Sequence, residues 1–174
     1  MKIRLRIILF CVASVAFIGC DRVTKDLAKE HLMFHAPISY LHNTVILEYV
    51  ENTGAALSLG DSLSKPVSFW LLSILPLLFL VALFIYAIRK IGELSRWKLF
   101  AFSLIFAGGL GNIIDRLLFD RHVTDFMNVG IGSLRTGIFN VADMCVTAGV
   151  IVLLFSYWEH KPNPEQPAET EVSE

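Results

Sequence analysis

Asp125 and Asp143 have the setting that bond-breaking chemistry would need. Asp125 lies in Val123-Thr124-Asp125-Phe126 and Asp143 in Phe139-Asn140-Val141-Ala142-Asp143, the second opening a long apolar run. Two carboxyl groups held a few ångströms apart cannot both ionise, so one keeps a proton for a carbonyl oxygen while the other takes a proton from water. That is the chemistry of an aspartic peptidase. A further polar set interrupts the apolar stretch Gly108-Gly109-Leu110-Gly111-Asn112-Ile113-Ile114-Asp115-Arg116. Gly108, Asn112, Asp115 and Arg116 stand at i, i+4, i+7 and i+8, one stripe down one helix.

Each piece also has a bland reading. The glycines suit a packing interface, with Asp115 and Arg116 as an interfacial pair. Asn140 suits a helix N-cap, with Asp143 three residues on satisfying free N–H groups. Asp125 alone is an aspartate in the loop before the last apolar segment. Convergence tips the balance: Asp115, Arg116, Asp125 and Asp143 all fall at one predicted bilayer depth, and so does Asn52 if its turn dips to the interface. Ionisable groups gathered at one depth mark a site.

Other chemistries fit less well. No G-x-S-x-G is present, and Ser62, Ser64 and Ser133 have no evident His and Asp partners. His31, His35, His42 and His122 come without an HExxH, so no metal site is expected. Cys11, Cys20 and Cys145 sit within apolar runs and form no CxxC. A small transporter using Asp115, Asp125 and Asp143 as a proton relay is the competing reading from another class. The sequence lacks the inverted repeats such a carrier would show.

The elements that must position these residues are membrane helices. Hydrophobic residues make up 55% of the 174 and charged residues only 18%, against about 25% charged in soluble domains. The mean hydropathy is +0.60. A soluble enzyme is excluded, and a net charge of -1 shows no basic excess for nucleic acid. The predicted fold class is therefore membrane all-α, with four spans at about residues 5–27, 67–88, 99–117 and 139–158. Together they form one domain over residues 1–158.

Lys2, Arg4 and Arg6 precede the first span, and Arg89, Lys90, Arg96 and Lys98 crowd the short loop after the second. Lys and Arg in short loops mark the cytoplasmic side, which puts both termini inside and residues 28–66 and 118–138 outside. Residues 44–51 are β-branched and aromatic and run into Asn52-Thr53-Gly54, a strand into a turn. A small extracytoplasmic β-containing segment at the interface is expected. The stretch from Lys161 to Glu174, with three prolines and four glutamates, reads as part of a disordered cytoplasmic tail over 159–174.

The N terminus holds a decoy. Basic residues, an apolar run and Phe17-Ile18-Gly19-Cys20 look like a signal peptide ending at a lipoprotein cleavage box. Asp21, Thr24 and Lys25 nonetheless continue from that run at i, i+3 and i+4, on one helical face. An uncleaved first helix is the expectation.

In this order the motifs resemble those of the lipoprotein signal peptidase (signal peptidase II) family of bacteria. They are Asp21-x-x-Thr24-Lys25, Glu51-Asn52-Thr53-Gly54-Ala55-Ala56, Gly108-x-x-Gly111-Asn112-x-x-Asp115-Arg116, Val123-x-Asp125-Phe126 and Phe139-Asn140-x-Ala142-Asp143. The resemblance implies an intramembrane aspartic peptidase that removes signal peptides from prolipoproteins, just before the diacylglyceryl-modified cysteine. It implies Asp125 and Asp143 as the catalytic pair, and Asn52, Gly54, Asn112, Arg116 and Asn140 as residues that hold substrate or shape the site. Asp21, Lys25 and Asp115 would be structural. Leu57 stands where the family often has Phe. Diacylglyceryl-modified prolipoproteins and membrane lipid are the implied partners, and no cofactor or metal is implied. The implied place is the bacterial inner membrane, with the active site near its outer face.

Overall fold

The computed structural model describes residues 2–54, 60 and 62–158. Among these residues, four helices are long and apolar enough to cross a membrane: Ile3–Leu32, Lys65–Arg89, Arg96–Leu118 and Val141–Trp158. The first is α1. The second is built from α2 (Lys65–Phe69), a π-helical turn (Trp70–Ile74) and α3 (Leu75–Arg89). Pro76 explains the turn. It has no N–H for the α-helical ladder, and the Leu75 N–H reaches back to the Trp70 carbonyl instead. The third and fourth spans are α4 (Arg96–Leu118) and α5 (Val141–Trp158).

These are the expected four spans, with shifted ends. The first runs five residues past Leu27, because Ala28 and Leu32 bury their side chains against Phe126 and continue the helix's inward stripe. The last begins at Val141, not at 139, because Phe139 pairs with Met127 as an isolated β-bridge and Asn140 serves as the cap.

α4 is the central post. It packs against α1, α3 and α5, and small residues on it (Ala101, Ser103, Ala107, Gly108) are buried. Helices in lipid gain little from hydrophobicity alone and depend on such close backbone approach. A Cβ at Gly108 would stand 2.3 Å from the Ala142 carbonyl oxygen and 3.0 Å from the Val146 backbone nitrogen. Gly108→Ala should therefore push α4 off α5 and lower stability by about 1–3 kcal/mol. Gly19→Ala, where nothing lies within 4 Å, should melt like wild type in the same detergent. The lipid-facing surface carries Leu71, Leu78, Phe79, Leu154 and Phe155, all exposed.

The remaining chain forms a four-stranded antiparallel sheet in the order β1 (Ile38–Tyr40), β2 (Val45–Asn52), β3 (Val123–Ile131), β4 (Leu134–Arg135). The expected strand over 44–51 is β2, one residue further on. Asp125 corrects the sequence reading. It sits on a strand and not in a loop, paired in register with Val50, two residues from the Asn52↔Val123 pair. The sheet rests on one end of the bundle, where Phe126 packs with Ala28 and Leu32 and is flanked by Leu47, Tyr49 and Val141. At the far end Arg6 donates to the Gly92 carbonyl at 2.7 Å and also to that of Leu94. Ala55, Ala56, Leu57, Asp61 and the tail from residue 159 lie outside the described residues.

Candidate active site

Pairing β2 with β3 sets the side chains of Asn52 and Asp125 close together. The Asn52 amide donates to Asp125 Oδ2 at 2.9 Å, and its oxygen accepts the Gly54 N–H at 2.9 Å, closing an Asx turn. Asp125 Oδ1 accepts from Asn140 Nδ2 at 2.7 Å. Asp125 is 3% exposed. Burial pushes its carboxyl up to about 6, against the pull of the Asn52 amide; the nearby Asp143 adds to the rise, while Asn140 and Lys25 oppose it.

Asn140 does two jobs. Its side-chain oxygen accepts the Asp143 N–H at 3.0 Å while its own N–H donates to Asp143 Oδ2 at 3.2 Å, the reciprocal arrangement of a capping box. Its amide nitrogen faces Asp125, the Asn112 oxygen at 3.1 Å and the Thr124 carbonyl at 3.3 Å. Asn112, from α4, donates to Asp143 Oδ1 at 2.8 Å. The same residue thus caps the helix and bonds to both aspartates. One asparagine starts α5 and joins the two carboxyl groups.

The motif on α1 stands behind this pair. Lys25, fully buried, lies 2.8 Å from Asp21 Oδ2 and 2.8 Å from Asp115 Oδ2, and donates to Asn112 Oδ1 at 2.9 Å. Asp21 Oδ1 in turn accepts the Ala142 N–H at 2.8 Å, taking up a free donor in the first turn of α5. Asp115 also pairs with Arg22 at 2.7 Å. Arg22 is outside the expected set, and its signal in the sequence is an arginine inside an apolar helix. Among the described residues Thr24 donates to the Cys20 and Asp21 carbonyls, both within its own helix.

Arg116 is 9% exposed and spends its guanidinium on backbone. It reaches the carbonyls of Gly54 at 2.5 Å, Arg121 at 3.2 Å and Thr53 at 3.4 Å, so it ties the turn after β2 to the end of α4. Three of the four histidines among the described residues bond to nearby carbonyls: His31 to Leu27, His35 to Met33 and His122 to Phe119.

Asp125 and Asp143 line a cavity of about 800 Å³. Leu72 and Pro76 of the second span, Ile113 of α4, and Met144 and Ile151 of α5 supply its apolar walls. Both the second span and α5 pack on α4, which forms the back of this cleft. Thr136 and Gly137, between β4 and α5, close part of the rim; the sequence alone gave no sign of them. The expected residues are thus brought together, with Asp21, Lys25 and Asp115 one layer behind Asn112.

Four apolar helices carrying an ionisable site at the end covered by a small sheet define a multi-pass membrane protein. The family model described as Signal peptidase (SPase) II matches residues 13–159, and the chain belongs to that family of peptidases. Among curated relatives it is 35% identical to the lipoprotein signal peptidase of Hydrogenovibrio crunogenus, over 89% of this chain and 88% of that one. It is 33% identical to that of Desulforapulum autotrophicum, over 83% and 88% respectively. For that of Streptococcus agalactiae serotype Ia the identity is 30%, over 91% and 97%. Among solved structures it resembles two bacterial membrane enzymes determined by the in meso method, both 28% identical. Their TM-scores are 0.76, over 91% of this chain and 93% of that one, and 0.72, over 88% and 94%.

Proposed function

We propose that this chain removes signal peptides from bacterial prolipoproteins, cutting just before the diacylglyceryl-modified cysteine, with Asp125 and Asp143 as the pair that activates water. One observation carries the reading. A buried carboxyl group, Asp125, and a half-buried one, Asp143, joined through Asn140, line an apolar-walled cavity between membrane helices. A lipid-anchored substrate arrives sideways from the bilayer, and a cleft flanked by the second span and α5 suits such an approach. The names of the relatives agree with this substrate class.

Asp125, pushed up to about 6, is the member that holds the shared proton. Asp143 is then the base. As water adds to the scissile carbonyl carbon, Asp143 takes its proton and Asp125 protonates the carbonyl oxygen. Collapse of the tetrahedral intermediate breaks the C–N bond, the leaving amine takes a proton from Asp143, and the hydroxyl proton returns to Asp125. Products are the signal peptide's new carboxyl terminus and the free amine of the lipidated cysteine. Asn52, Asn112 and Asn140 orient the carboxyls. Gly54 and Arg116 shape the wall beside them.

The reaction needs Asp125 protonated. Cleavage of a diacylated peptide should therefore lose kcat/KM as pH rises through about 6 in the unloaded enzyme. A profile that instead rises through that pH would exchange the roles of the two aspartates, and no cleavage at any pH would defeat the reading. Short-loop basic residues support cytoplasmic termini, an inner-membrane setting and a sheet on the outer face. A reporter fused after Trp158 should be active only in the cytoplasm, and a tag near Asp61 should be reachable only from outside. The opposite labelling would invert this orientation.

A further inference from the structure

We propose that Lys25 is a positioning residue for the peptidase reaction, acting on Asp143 through the amide of Asn112; this rests on the reading of Asp125 and Asp143 as the catalytic pair. An ammonium group has three N–H bonds and no acceptor. Two of them face Asp21 and Asp115, each at 2.8 Å. The first lies within α1; the second, with the Arg22–Asp115 pair beside it, already ties α1 to α4, so neither tie needs a bond from Lys25 to Asn112. The third N–H goes to Asn112 Oδ1 at 2.9 Å. A primary amide has an oxygen end and a nitrogen end, and a cation meets only the oxygen. With Lys25 and Asn140 both donating to that oxygen, the Asn112 nitrogen is turned the other way, onto Asp143 Oδ1 at 2.8 Å.

The same motif also grips the backbone beside Asp143. Asp21, which Lys25 holds by one oxygen, uses its second oxygen to accept the Ala142 N–H, one residue before Asp143. Gly111 makes the approach feasible, since a Cβ there would stand 2.8 Å from Asp21 Oδ2. Lys25 thereby sets the aim of one donor to Asp143 and supports the helical turn that carries it. It touches neither substrate nor reacting atoms. Its contribution is the geometry in which Asp143 meets water, and small displacements of such a group cost heavily.

The test compares Asp21→Asn with Asp21→Asn/Lys25→Met in the full chain, using a diacylated lipobox peptide, with Asp143→Asn alongside. The double variant removes one buried charge of each sign, keeps an oxygen for the Ala142 N–H and leaves Arg22 on Asp115. Relative to Asp21→Asn, it should lose about 10²-fold in kcat with KM changed less than about threefold. Its melting temperature in detergent should stay close to that of the single variant. Equal kcat in the two variants would overturn the proposal. So would a double variant that fails to fold or whose loss is in KM, since Lys25 would then be structural only. If Asp143→Asn itself cleaved normally, the underlying assignment of the pair would fall instead.

Discussion

Asp125→Asn and Asp143→Asn should each reduce cleavage of lipidated substrate by about 10³-fold or more while the protein stays folded and inserted. An amide can neither take a proton from water nor give one to a carbonyl oxygen as this chemistry requires, and general acid–base catalysis commonly supplies about 10²–10⁴-fold. The two losses should not add, because the carboxyls act as a unit and either change removes the reaction. Folding is separable from chemistry at Asp125. Its carboxyl is raised from 3.8 to about 6, so the folded state favours the protonated form. The associated stability is complete below pH 4 and is lost as pH rises through about 6. Asp125→Asn, neutral at every pH, should therefore lack the loss of stability that wild type shows between pH 4 and 7, whatever the amide costs beside the Asn52 and Asn140 donors. Asp120 is the control. It is exposed, its partner Lys65 is 3.7 Å away, and Asp120→Asn should cleave nearly as wild type does. Cleavage by either dyad variant at near wild-type rate, measured by mass spectrometry of the products, would exclude the two-aspartate mechanism.

The second large effect falls on Asn140. It is fully buried, caps α5 and joins the two carboxyls. Asn140→Ser keeps a cap oxygen for the Asp143 N–H but has no amide nitrogen for Asp125. Its stability should fall by no more than about 1 kcal/mol for the cap, with up to about 1–3 kcal/mol more if Asp125 Oδ1 stays unsatisfied. Its kcat should fall about 10²–10³-fold, as when one preorganised donor is deleted from a buried site. Asn140→Ala removes both functions and should be less stable and no more active. Thermal unfolding in detergent and steady-state cleavage on the same samples separate the two roles. A serine variant with near-normal kcat would reduce Asn140 to a cap.

The four spans were legible because each is an apolar run near bilayer length, and Asn112, Asp115 and Arg116 because charge inside such a run is costly. The helix ends were not, since they depend on partners distant in sequence. Phe139 belongs to the sheet because Met127 is there to bridge it, and α1 continues because Phe126 receives Ala28 and Leu32. Asp125 read as a loop residue for the same reason. β3 forms against β2, more than 70 residues earlier, and nothing local to Val123-Thr124-Asp125 announces the pairing. The aspartates, Asn140 and the α1 motif were each visible as residue types at informative spacings. That Lys25 bonds to Asn112 and Asp21 to Ala142 could not be seen, because those bonds cross between helices.

The most direct measurement incubates the purified full chain with a diacylated lipobox peptide and with its unlipidated twin, and weighs the products. The account predicts one cut in the diacylated peptide, before the modified cysteine, releasing a fragment that begins with that lipidated residue, and little turnover of the twin. A cut elsewhere, equal cleavage of both peptides, or an untouched diacylated peptide in the presence of folded protein would contradict it.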